Sequence, residues 1–299
     1  MPEVANPATQ KFLYQLIEAN ADERTMQWLA KQQEKLETDY TDRTLFLAFG
    51  MAPRYVGKQP LTLSEEQKKT AHQLREGFQP DGWSLAQLLR AYLLLLLPTD
   101  EATTYTATLT KLLETAEVDE QVAVYAALPV LAYPQLLIPL AVNGLRTNIT
   151  RVFDAIALDN PYPADYLDEA AWNQMILKAV FMGRPLYRVH GGRIHGGRIY
   201  GADARANPAL ARMLVDFAHE RWAADRPVTP ELWRFVAPYA DASHRADLER
   251  VIASENPLES AAGQLVCAQV PALNSLLHDN HDINHLPTWE QIGKELLDS

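Results

Sequence analysis

Apolar residues recur along this chain at the three- and four-residue spacing of amphipathic helices, and no convincing series of alternating strands is present. Proline, asparagine and aspartate divide the apolar stretches into short segments. The pattern predicts helices over 8–19, 22–38, 41–49, 64–75, 84–97, 101–115, 119–128, 134–143, 147–157, 164–181, 208–224, 230–238, 243–253, 257–268 and 270–277. Short helices with short connections favour antiparallel neighbours stacked in layers. We therefore expect an all-α fold, an irregular HEAT-like α-solenoid or α-α superhelix.

The regions 119–157 and 230–277 have the form of HEAT-like pairs, in which an apolar helix, a turn and a second apolar helix follow one another. No period is sharp enough to define a true repeat. The chain is interpreted as one helical unit over residues 1–299. Residues 1–118 are a candidate N-terminal subdomain, and 119–299 are the HEAT-like part.

One apolar stretch, residues 122–142, is long enough to test as a membrane span, because Gln135 is its only strongly polar side chain. Pro129, Pro134 and Pro139 interrupt it at intervals of five residues. Each proline removes a backbone donor and disfavours helix through the preceding residue. The stretch therefore predicts two short buried helices and no transmembrane segment.

The composition is that of a globular protein with a substantial core, at 299 residues and 47% apolar content. A net charge of −11 argues against a nucleic-acid partner, which requires broad neutralisation of phosphates. Cys267 is the only cysteine, which fits a reducing compartment. No secretory leader pattern opens the sequence, so the predicted location is the cytoplasm.

Positive charge is nevertheless concentrated in the window 184–234, which holds nine arginines, no lysine and five acids, a local charge of +4. Guanidinium groups bind carboxylates and other anions through paired hydrogen bonds. The window predicts an anion site. Its expected ligand contacts are Arg184, Arg188 and Arg212.

Two polar residues in the predicted helix 164–181 extend this hypothesis. Asn173 and Lys178 interrupt an otherwise apolar helix, and Lys178 shares a face with Gln174 four residues earlier. Such groups either face solvent or belong to a buried network, and the sequence leaves both open. Asn173 and Lys178 are included as candidate ligand contacts.

The helix 208–224 carries the candidate catalytic residues Asp216, His219 and Glu220. Asp216 and His219 are three residues apart, a spacing at which a carboxylate can orient an imidazole for general acid/base chemistry. An exposed helix face with an Arg212–Asp216 pair explains the same pattern. No third metal ligand lies nearby, so no metal and no cofactor are predicted.

Two further segments remain open. The sequence HGGRI occurs twice in succession within 190–199, which predicts a mobile loop or a small hairpin that is either a lid over an anion or a neutral insertion. Near the C-terminus, a region interpreted as a loop contains His278, His281 and His285, whose spacing matches no specific zinc signature. Cys267 lies in an apolar helix and is interpreted as an inert core thiol.

Several segments together resemble the EboA family: DNPYPADYLDEAAWNQMILKAVF, GRPLYR, NPALARMLVDFAHERWAA and PELWR, with a weaker likeness in GWSLAQLLRAYLLL. The resemblance is strongest over 159–234. It implies a cytoplasmic protein that supports the processing or traffic of a secondary-metabolite precursor, in cyanobacteria a scytonemin precursor. It also implies other Ebo proteins as partners, including a UbiA-type prenyltransferase and a TatD-like hydrolase. It transfers no catalytic residue.

Two functions fit these observations. In the first, a helical scaffold binds a small anionic or aromatic metabolite, or a partner protein of the same pathway, without chemistry. In the second, an enzyme acts on that metabolite through Asp216 and His219 and an arginine-lined anion site. We favour the first, because no nucleophile, cofactor motif or complete metal set is present in the sequence.

Overall fold

The structure is a computed structural model that describes residues 7–57, 59–194, 198–277 and 285–298. It confirms the all-α class. In the described residues, the only paired strands outside an isolated bridge form one short hairpin. The solenoid or superhelix arrangement stays a prediction. The chain divides into two compact units, the first ending at Tyr166 and the second beginning at Leu167, whereas the sequence suggested 118/119 as a candidate boundary.

Unit 1 contains ten α-helices within its described residues. They are α1 Pro7–Asn20, α2 Glu23–Thr38, α3 Asp42–Met51, α4 Glu65–Leu74, α5 Leu85–Leu94, α6 Ala102–Thr115, α7 Val118–Ala127, α8 Ile138–Leu145, α9 Thr150–Ala157 and α10 Tyr162–Tyr166. Helix α5 is almost entirely buried and packs against α1, α3 and α7. The core of unit 1 therefore surrounds α5.

The apolar stretch 122–142 folds as short helices, as the prolines predicted. Helix α7 ends at Ala127 and a 3₁₀ turn continues over Leu128–Val130; a second 3₁₀ turn over Pro134–Leu137 leads into α8. Across the part of the chain that the structure describes, no helix is long and apolar enough to cross a membrane.

Unit 2 contains six α-helices and the hairpin within its described residues. They are α11 Glu169–Phe181, β1 His190–Ile194, β2 Arg198–Gly201, α12 Pro208–Ala223, α13 Trp233–Val236, α14 Arg245–Ile252, α15 Pro257–Gln269 and α16 Trp289–Asp298. Helix α15 packs against α13, α14, α16 and the 3₁₀ turn Pro230–Leu232, while α12 packs against α11 and α13. The core of unit 2 lies among these helices.

The duplicated HGGRI segment forms an antiparallel hairpin in which His190 lies opposite Gly201. A small hairpin was one of the two conformations that the sequence predicted. Residues 195–197 lie outside the described residues, and the choice between a lid and a neutral insertion stays open.

Helix α16 is not among the helices that the sequence pattern predicts, the last of which ends at residue 277. Thr288 and Gln291 form reciprocal backbone and side-chain hydrogen bonds of 2.7 and 3.3 Å, the capping-box pattern that starts a helix. Ile292 on the inner face of α16 is fully buried. The sequence contains this start signal, which the predicted helices did not use.

We expect Gly144→Ala to destabilise unit 1. A Cβ atom at this position of α8 would lie 2.5 Å from Ile156 Cδ1 and 2.6 Å from Tyr125 Cζ. Overpacking of this kind costs about 1–3 kcal/mol, of which the better helix propensity of alanine offsets up to about 1 kcal/mol. Urea denaturation should therefore give a free energy of unfolding lower by about 1–2 kcal/mol, the middle of the range left after that offset.

The matched control is Gly57→Ala, because a Cβ atom on Gly57 would have no neighbour within 4 Å. Its free energy of unfolding should change by no more than about 0.5 kcal/mol. Equal effects at the two positions would contradict the packing described for α8.

Candidate functional site

A cavity of about 370 Å³ lies within unit 2. Its walls are the C-terminal end of α11, residues 183–185, two residues of α12, residues 227–231, Asn256 and α16. Pockets for small ligands have volumes of roughly 300–1,000 Å³. The cavity is therefore large enough for one small organic molecule.

The way in which helix α11 ends positions part of the cavity wall. Gly183 has φ +63°, a left-handed conformation that glycine adopts without steric strain. Its amide donates to Val180 O at 3.1 Å and that of Arg184 donates to Ala179 O at 2.8 Å, which is the Schellman pattern of helix termination. The chain reverses here, and Arg184 and Pro185 join the cavity wall.

Most of the lining is apolar. The apolar residues are Val180, Phe181, Pro185, Phe217, Pro227, Val228, Pro230, Leu296 and Leu297. Phe181 and Leu297 are 74% and 54% exposed, so the apolar lining continues to the protein surface. An apolar ligand can therefore enter from solvent along apolar side chains and lose contact with water as it does so.

Two cations belong to the same wall. Arg221 lies one helical turn after Phe217 on α12, and its Nε donates to Pro227 O at 3.1 Å, which fixes the side chain against the neighbouring segment. Arg184 is half-buried at the end of α11. The cavity thus combines an apolar body with two guanidinium groups suited to an anion.

The remaining charged residue of the lining is Glu231, which is only 2% exposed. Its Oε2 accepts a hydrogen bond from the amide of Leu186 at 3.0 Å, and the backbone of Tyr187 also donates to the carboxyl group. Among the described residues, Oε1 has no hydrogen-bond partner. It faces Gly293 of α16, on which a Cβ atom would lie 2.7 Å from Oε1.

Burial dominates the electrostatics of Glu231 and raises its pKa to about 7, because the ionised form is poorly solvated. The two backbone amides and Arg234 act in the opposite direction, and Glu290 adds to the rise. Arg234 is itself 5% exposed and donates to Glu290 Oε1 at 2.9 Å. Glu231 can therefore exchange a proton near neutral pH.

Arg184 is the one sequence-predicted site residue that lines this cavity. Asn173 is 4% exposed and exchanges two hydrogen bonds with Asn207, at 2.8 and 3.1 Å, where Asn207 caps the start of α12. The sequence left open whether Asn173 faces solvent or belongs to a buried network, and in the structure it belongs to a buried network. Lys178 is half-buried, and burial lowers its pKa.

The other predicted residues lie on exposed surface. Arg188, Arg212, Asp216 and Glu220 are all exposed and lie outside the cavity lining. His219 has a carboxylate partner, but it is Asp247 of α14, whose Oδ1 lies 2.7 Å from His219 Nε2. The imidazole is half exposed, and the pair lies outside the cavity lining.

The arginine window 184–234 does not converge on one place within the described side chains. Arg205 stacks over the ring of Trp172 at 4.6 Å and donates to Leu167 O, and Arg234 joins α13 to Glu290 of α16. The side chains of Arg193 and Arg198 lie outside the described residues. Arg184 and Arg221 are the members of the window that line the cavity.

Several parts of the cavity lining were not predicted from the sequence, namely Glu231, Arg221, Phe217 and α16. A usable signal was present for Glu231, which stands among apolar residues in the segment PELWRFV. For α16, the signal was Thr288 followed by Gln291, with apolar residues on one side of the following turns.

The remaining predictions concern metals and the thiol. His278 and His281 lie outside the described residues, and His285 is exposed. Elsewhere, within the described parts of the chain, no three His, Cys, Asp or Glu residues are grouped to hold a metal ion. Cys267 is fully buried and burial raises its pKa to about 11, which fits the interpretation as an inert thiol.

Fold and cavity together define a predominantly helical protein with a surface-accessible cavity large enough for a small molecule. The sequence profile described as Metabolite traffic protein EboA matches residues 9–237. The chain therefore belongs to the EboA family, as the sequence resemblance predicted. Comparison with curated proteins and with solved structures finds no significant match.

The buried Glu231 predicts a stability that falls as pH rises. The unfolded chain loses this proton near pH 4.5, whereas the folded protein holds it until about pH 7. Rising pH between these values therefore favours unfolding. Between pH 5 and pH 8 the free energy of unfolding should fall by about 2 kcal/mol through this group.

Glu231→Gln removes the titrating group and keeps an oxygen for the two backbone amides. In urea denaturation at pH 5 and pH 8, the variant should gain about 2 kcal/mol relative to the wild type at the higher pH. The comparison cancels the contribution of the other titrating groups. A difference between the proteins that is the same at both pH values would contradict the assignment.

Proposed function

We propose that this EboA protein binds a small secondary-metabolite precursor with an apolar or aromatic body and an anionic group, and supports its processing or export. The observation that carries the proposal is the cavity of unit 2, where apolar walls meet Arg184 and Arg221. The description of the family, metabolite traffic, also supports a role in handling a metabolite. Other Ebo proteins, in the cytoplasm, are the proposed donors and receivers of the metabolite.

The two parts of the cavity have separate tasks in this proposal. Burial of apolar ligand surface contributes roughly 25 cal/mol per Å² and is non-directional, so it holds many apolar bodies. The guanidinium groups fix the orientation of the ligand, because a bound carboxylate, sulfonate or phosphate must face them. Together they select an amphiphilic anion over a purely apolar or purely polar compound.

An enzyme acting on the same metabolite is the second candidate, and one observation supports it. A carboxyl group whose pKa is about 7, at the wall of an apolar cavity, is suited to general acid/base chemistry. In this alternative Glu231 replaces Asp216 and His219 as the acid/base group. Mass spectrometry of the metabolite after incubation with the protein separates the two, since binding alone returns it unchanged.

The proposal is tested with 2-naphthalenesulfonate, a permanently charged aromatic anion. The wild type should bind it with a Kd below about 1 mM, and Arg184→Ala combined with Arg221→Ala should weaken binding roughly tenfold or more, because charge-assisted hydrogen bonds are lost. Isothermal titration calorimetry measures both constants. Unchanged circular dichroism shows that the variant is folded.

The matched control is Arg188→Ala combined with Arg212→Ala, which removes the same charge from exposed positions outside the cavity lining. These two arginines are ligand contacts predicted from the sequence, so the pair of double variants decides between the two locations. Binding lost in the Arg188/Arg212 variant and kept in the Arg184/Arg221 variant would place the anion site outside the cavity.

A further inference from the structure

The cavity holds a buried carboxyl group and two guanidinium groups within one small space. A compact volume of about 370 Å³ is roughly 7 Å wide, and charges at such separations interact strongly when the effective dielectric constant is about 20. An anion placed against Arg184 and Arg221 is therefore close enough to change the proton affinity of Glu231.

A bound anion acts on Glu231 through its charge. Its negative charge disfavours a second negative charge on the carboxyl group. Because Oε1 has no hydrogen-bond partner among the described residues, no hydrogen bond on that side offsets the added repulsion. Proton uptake by the carboxyl group relieves it.

We propose that the cavity takes up an organic anion and a proton together, with Glu231 as the proton-binding group. The inference rests on the proposed function and names how that same site is regulated. By linkage, an anion that increases the proton affinity of Glu231 must itself bind more tightly when Glu231 is protonated. The protein therefore retains its ligand at lower pH and releases it as the pH rises.

Other charged groups lie on the elements packed against Glu231. The elements packed against its 3₁₀ turn are Leu186–Arg188, α13, α15 and α16. Their charged residues are Arg188, Arg234, Glu259, Glu290, Lys294, Glu295 and Asp298. Arg234 and Glu290 are paired with each other, and these elements contain no histidine. Because the pKa of Glu231 is about 7, this carboxyl group titrates in the neutral range.

The test is calorimetry of 2-naphthalenesulfonate binding at pH 7 in buffers of different ionisation enthalpy. The sulfonate does not titrate in this range, so any proton exchanged belongs to the protein. The wild type should take up roughly 0.4 proton per anion bound, and its affinity should fall roughly five- to tenfold between pH 6 and pH 8. Glu231→Gln should show neither effect and should bind at pH 8 as the wild type binds at pH 6.

Two controls sharpen the result. Glu295→Gln, at an exposed position of α16, should keep the proton uptake of the wild type. Naphthalene-2-sulfonamide, a neutral analogue of the same shape, should bind without proton uptake by Glu231. Anion binding without proton uptake, or uptake that persists in Glu231→Gln, would overturn the inference and leave the proposed function standing. Failure of the sulfonate to bind at either pH would overturn the proposed function itself.

Discussion

The buried carboxyl group of Glu231 joins parts of the second unit that lie far apart in the sequence. It accepts backbone hydrogen bonds from residues 186–187 and lies against the backbone of Gly293 in α16. A buried polar atom without a partner costs free energy, so this arrangement persists only where the surrounding packing supplies compensation. Glu231 lines the cavity together with residues of α11, α12 and α16.

The site is therefore a product of tertiary packing rather than of one motif. The family match covers residues 9–237, which include the arginines, Phe217 and Glu231, while α16 lies beyond those residues and supplies the opposite wall. In the proposed function, the apolar lining and the pair of cations hold an amphiphilic anion. The carboxyl group of Glu231 is the proposed link between that anion and a proton.

Local signals predicted the all-α fold, whereas Arg184 alone among the residues named as site candidates lines the cavity. The prolines of the stretch 122–142 act within a few residues, and the stretch folds as short helices as expected. By contrast, the carboxylate paired with His219 comes from Asp247, 28 residues away, and not from Asp216. A cluster of charges along the sequence does not determine where the side chains point in the fold. The burial of Glu231 could not be predicted locally either, because it depends on contact with α16.

The most direct test of the account is the position of a bound anion in a crystal. Crystals soaked with 6-bromo-2-naphthalenesulfonate should give an anomalous bromine peak between α11, α12 and α16, with the sulfonate beside Arg184 and Arg221 and the ring system against Phe217. A fully occupied ligand elsewhere on the protein, with this cavity containing only solvent, would contradict the account.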